Sequence, residues 1–198
     1  MEQTPKKEQL AIIPLNQTVL FPQVKSEIRI NKRSGEAINQ RFPDTDNLVI
    51  GLAQKDHQDG VDSEMENFHS IGTLLQINAH RLHRGGYHYQ VRAIKRVEVT
   101  DIQRSGDLLL AEYKAAYDVN DISDLDAVKM LDYMKEITYD IGKGIKGSDP
   151  YVKEIEQLST ITELMGYLMP FLNISLEEKQ TLLEIDSLRE RGDRKSVV

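Results

Sequence analysis

The stretch "LAIIPLNQTVLFP", Leu10 to Pro22, sets two short apolar runs on either side of a polar turn and marks each with a proline. A helix is disfavoured, because Pro14 would remove a backbone donor and clash with the preceding turn. Ile12, Ile13, Val19, Leu20 and Phe21 are β-branched, aromatic or large apolar types that suit a pleated surface. Proline is tolerated in a strand at an edge or a bulge. The stretch is therefore predicted to form two edge-type strand pieces joined by the turn Asn16-Gln17-Thr18.

Outward from there, the first 118 residues keep a period of two. Val24, Ile28 and Ile30 alternate with polar neighbours, and "NLVIGLAQ" is apolar enough for a strand buried on both faces. Alternation returns in "SIGTLLQINAH" and in "YHYQVRA", with Gly85-Gly86 between them as a hairpin signal. After Ala93 the pattern slips by one residue, which predicts a bulge near Ala93–Lys95. "LLLAEYKAAY" supplies a last strand, and "SGEAINQRF" one short helix. About six strands with one helix, mostly hairpin-connected, predict a small closed or half-closed barrel.

From Asp121 the period becomes helical. Leu125, Val128, Leu131, Met134, Ile137 and Ile141 recur at spacings of three and four, behind a capping start at Ser123. "GKGIKGSDP" ends that helix. Asp149 and Pro150 open the next, and Ile161, Leu164, Met165 and Leu168 form another apolar face closed by Pro170. Ser175 with Glu178, and Ser187 with Glu190, have the spacing of capping boxes. The reading is α+β in two parts, a β subdomain over residues 1–118 and a helical bundle over 119–198.

Composition narrows the class. With 198 residues, 39% hydrophobic and 29% charged, the chain is expected to be soluble and large enough for a proper core. No apolar run approaches a bilayer span, the start "MEQTPKKEQL" lacks the apolar core of a signal peptide, and there is no cysteine. A cytoplasmic setting is the expectation. Almost all of the net charge of −7 falls after residue 120, which disfavours broad contact with nucleic-acid backbones.

The segments "IIPLNQTVLFP", "GLAQKD", "SIGTLLQI", "GGYHYQVRAIKRVEV" and "LSTITELMGYLMPFLNISLEEKQTLLEIDSLRERG" occur in an order that resembles the N-terminal LON domain of the ATP-dependent Lon proteases. Two positions depart from that pattern: Gln23 and Ala93 stand where the family usually has glycine. The resemblance implies a PUA-like β-barrel followed by a helical bundle. It also implies a non-catalytic part in recruiting unfolded or tagged polypeptides to a hexameric protease whose ATPase and protease modules are separate. A stand-alone LON-domain protein that binds a small ligand or peptide is the alternative, and an RNA-binding module a third.

No catalytic set, cofactor motif or metal site is expected. "GKGIKGS" follows a helix and lacks a lysine directly after its last glycine, so a linker is the reading rather than a phosphate loop. Asp56, Asp59, Asp62 and Glu64 lack the ligand spacing of a calcium loop. His80, His83 and His88 crowd a hairpin tip with Arg81, Arg84 and Arg92 nearby; His80 and His83 should face opposite ways, and cationic neighbours disfavour a metal. The tip reads as a solvated basic hairpin able to steer acidic segments. The candidate contact residues are Phe21, Pro22, Val24 and Leu82 as apolar groups, with Arg81 and Arg84 as charges. The reading preferred for Phe21 and Val24 is that they plug one end of the barrel, since large apolar side chains are usually buried.

Overall fold

The computed structural model describes residues 9–55, 64–143 and 149–193. The chain divides into two compact units, Met1–Tyr117 and Asp118–Val198.

The first unit contains β1 (Gln9–Leu15), β2 (Lys25–Asn31), α1 (Lys32–Thr45), β3 (Leu48–Ala53), β4 (Ile71–His83), β5 (Gly86–Ser105) and β6 (Leu108–Ala115). They form one mixed sheet in the order β2-β5-β4-β3-β1-β6, and the far half of β5 also pairs with β6. The expected PUA-like β-barrel is corrected by this topology. Closure needs every strand flanked on both sides, whereas β2 pairs with β5 alone and leaves an open edge among the described residues. The hairpin-connected picture also overlooked the parallel β1–β3 pair, with Ile12 beside Ile50, which requires the crossover through β2 and α1.

The opening stretch is corrected too. β1 is no edge, since it lies between β3 and β6, and Val19–Pro22 form no strand. Pro14 is accommodated because pairing with β6 extends only over Gln9–Ala11, so its missing donor lies beyond that ladder. The near-continuous apolar run follows from burial on both faces. Ala11, Ile13 and Leu15 enter one cluster with Leu20, Ile38, Leu75, Tyr89 and Val91. Leu10 and Ile12 enter another with Ile50, Leu52, Phe68, Val97 and Val99.

The predicted bulge is present. Leu75 pairs with Ala93 and Leu74 with Lys95, so Ile94 is the extra residue. Beyond it the inward residues of β5 change allegiance, from Tyr89, Val91 and Ala93 in the first cluster to Val97 and Val99 in the second. A slip of one residue turns a strand over. Gln23 takes φ +72°, with the Val24 N–H donating to the Phe21 carbonyl at 3.3 Å. Proline second and a positive φ third is the arrangement of a type II turn, which favours glycine at that third place. The tight turn after Pro22 therefore forms without the glycine.

The helix read at "SGEAINQRF" is longer at both ends. The Ser34 N–H donates to Asn31 Oδ1 at 2.9 Å, capping α1. The Tyr89 hydroxyl, fully buried, lies 2.7 Å from Asn39 Oδ1 and 3.0 Å from the Gly35 carbonyl and ties α1 to β5.

The second unit holds α2 (Asp124–Lys143), α3 (Asp149–Gln157), α4 (Ile161–Leu168), α5 (Leu176–Glu184) and α6 (Leu188–Asp193). Ser123 Oγ accepts from the Asp126 N–H at 3.1 Å, as its spacing predicts. The apolar face read along α2 is buried at Leu131 and Met134, but Leu125 and Val128 at its start are 65% and 55% exposed. Thr160 and Ser175 each form a full capping box, with Glu163 and Glu178 respectively. The glycine-rich segment "GKGIKGS" falls mainly outside the described residues.

Candidate binding site

The β4–β5 hairpin is basic at its tip, with Arg81 and Arg84 and no acidic residue between His80 and Arg92. Its turn places Arg84 at φ +48° and Gly85 at φ +81°, the two positive angles of a type I′ turn. Pairing across three strands sets Arg29 of β2 beside His88 of β5, and His88 beside Arg81 of β4. Alternation along each strand puts these three side chains on one face of the sheet. They line a cavity of about 460 Å³ together with His83 and Arg84.

Beside it, the buried His88 ring places Nδ1 2.6 Å from Glu27 Oε1, while an Arg81 guanidinium nitrogen lies 3.8 Å from Glu27 Oε2. The hydrogen bond from His88 holds the Glu27 carboxyl below its ordinary value. Desolvation opposes that shift, and the charges of His88, Arg81 and Arg29 add to it. The opposite face of the hairpin is aromatic. His80 packs against Phe42, Tyr87 and Tyr89 at ring separations of 5.5 to 6.0 Å. His83 meets His88 edge to face. The histidines thus divide between two faces, and no group of three metal-ligating side chains gathers among the described residues.

Of the residues singled out from sequence, Arg81 and Arg84 come together in this cavity. Leu82 is 53% exposed opposite Tyr87. Phe21, 2% exposed, and Pro22 are buried, and half-buried Val24 pairs with Ala93, well up β5 from the turn. The apolar and basic candidates therefore do not form one patch. Sequence reasoning missed Arg29 and the Glu27–His88 pair. Their signal was the alternation of charged residues with Ile28 and Ile30, which reads as an ordinary solvent face until β5 is placed beside it. Asp56, Asp59 and Asp62 lie outside the described residues, and Glu64 is paired with Arg104 at 2.5 Å.

The arrangement offers charge and shape, with guanidinium forks suited to oxyanions. Its class is that of a recognition module. A family model described as the ATP-dependent protease La (LON) substrate-binding domain matches residues 9–195, and the chain belongs to that family. The Lon protease of Clostridium beijerinckii is 33% identical over 181 residues, covering 91% of this chain and 23% of the relative. The Lon protease of Methanosarcina barkeri is 28% identical, covering 96% and 24%. The chain thus spans about a quarter of the length of these curated relatives. The fold is shared with the N-terminal domain of Mycobacterium avium complex Lon protease, at a TM-score of 0.76 and 14% identity, covering 94% of this chain and 95% of that one. A Lon N-terminal domain protein from Xanthomonas campestris gives 0.63 and 16%, covering 94% and 96%.

Proposed function

We propose that this domain recruits unfolded or tagged polypeptides to an ATP-dependent serine protease, working in the cytoplasm as one of several copies in a ring, with the ATPase and protease modules in the same chain. The observation that carries the reading is the match to the substrate-binding domain over nearly the whole chain, residues 9–195. The mechanism is weak contact made many times. Each copy holds a short stretch of an unfolded chain, and several copies in one assembly raise the effective concentration for the next contact.

The test is a titration of the domain, alone and tethered as a hexamer, with the folded and the permanently unfolded form of one protein. Preference for the unfolded form, stronger in the hexamer, is the expected result. Equal or absent binding of both forms in both formats overturns the reading.

A further inference from the structure

The Arg29–His88–Arg81 row sets cationic or proton-accepting side chains directly opposite one another across three strands, an arrangement that disfavours pairing when the charges are alike. A single carboxylate, Glu27, answers it, approached by Arg81 and hydrogen-bonded by His88. Arg84 adds a further guanidinium from a turn position where φ is +48°, a conformation that an arginine adopts at a cost and an asparagine adopts readily. Neither Arg29 nor Arg84 has a carboxylate within ion-pair distance among the described residues. Two local penalties thus converge on one cavity of about 460 Å³, in a chain whose net charge is −7.

We infer that this cavity is a carboxylate-recognition site, which grips acidic side chains of the extended polypeptides the domain recruits. The inference rests on the recruiting role and names the class of segment taken. Glu27 illustrates the chemistry at the cavity's border, since its carboxylate already lies against the His88 ring and neighbouring arginine charge. A client's aspartates or glutamates would meet Arg29, Arg81 and Arg84 in the same way, each guanidinium able to grip a carboxylate with two parallel N–H donors. Polypeptide is favoured over nucleic acid because the cavity accommodates a few side chains.

The experiment uses fluorescent unfolded peptides identical except for glutamate or glutamine at alternate positions, and a single-stranded oligonucleotide of equal charge. The glutamate peptide is expected to bind about tenfold more tightly than the glutamine peptide, with the advantage shrinking as salt is raised. The triple variant Arg29→Gln/Arg81→Gln/Arg84→Gln should erase that advantage while retaining residual binding of the glutamine peptide. Arg84→Asn serves as the folding control. It relieves the turn, so it should melt no lower than the parent yet bind the glutamate peptide more weakly. Equal binding of the two peptides, an advantage that survives the triple variant, or tighter binding of the oligonucleotide each overturns the inference. A domain that binds unfolded chains irrespective of their acidity loses this site while its recruiting role stands.

Discussion

The Arg191 guanidinium, 2% exposed as a residue, lies 2.9 Å from Asp118 Oδ1, joining α6 to the first residue of the second unit. Its Nε–H also donates to the Ile185 carbonyl at 3.1 Å. Nearby, the Val119 N–H donates to the Asp186 carbonyl and the Leu188 N–H to the Val119 carbonyl. The end of the described chain is thus stitched to the start of its own unit by one buried charge and a pair of backbone bonds. Asp118→Ala would strand that charge, with an expected loss on the order of 3 kcal/mol. Replacing both partners, Asp118→Ala with Arg191→Met, should recover part of it. Denaturant titration of the three proteins checks the order of their stabilities.

Ser175 Oγ accepts from the Glu178 N–H at 3.1 Å, and Glu178 Oε2 accepts from the Ser175 N–H at 2.7 Å. The box satisfies two helix-end donors at once. Ser175→Ala should cost about 0.5–2 kcal/mol, and Ser175→Gly only a few tenths. Thermal or chemical unfolding curves distinguish the two substitutions.

Gln23 occupies the left-handed region in a turn whose N–H donates to the Ala93 carbonyl at 2.9 Å. A side chain there costs about 1 kcal/mol relative to glycine. Its Oε1 recovers some of that as acceptor for Arg92 Nη2 at 3.2 Å, an exposed contact of small worth. Gln23→Gly is expected to stabilise the domain by a few tenths of a kcal/mol up to ~1 kcal/mol. A lowered unfolding midpoint would show that the Arg92 contact outweighs the backbone term.

Asp121 accepts from Ser187 Oγ at 2.5 Å and from the Arg189 N–H at 3.0 Å. The Ser187 hydrogen bond first, and the Arg189 bond after it, hold this carboxyl below its ordinary value of 3.8. A depressed folded-state pKa makes the stabilisation complete above the unfolded value and drains it as pH falls through the folded one. Asp121→Asn should therefore lower stability at neutral pH, and the gap from the parent should close as the solution is taken below about pH 4. A gap independent of pH would assign the effect to geometry rather than to the charge.

What the sequence made legible was local. The bulge at Ile94 showed as a slip in a two-residue rhythm, the boxes at Ser175 and Ser123 as fixed spacings, and the hairpin as two glycines between alternating runs. What it concealed depends on neighbours distant in the chain. β1 reads as an edge because of Pro14, yet its flanking strands are β3 and β6, the latter about a hundred residues on. The barrel expectation failed for the same reason, since counting strands does not reveal that β2 meets only β5. The site divides likewise. Arg81 and Arg84 could be read from their crowding on one hairpin, while Arg29 and Glu27 join them only through the β2–β5 ladder.

The strand that pairs with β2, β4 and β6 in turn has a consequence for dissection. Every smaller fragment that ends before Gly86 abandons four ladders together, the three made by β5 and the β1–β6 pair, so the sheet has no severable half that retains its interior. Shortening this unit from either flank of β5 should yield loss of structure throughout rather than a trimmed remnant, whereas changes confined to the exposed hairpin tip leave the framework whole.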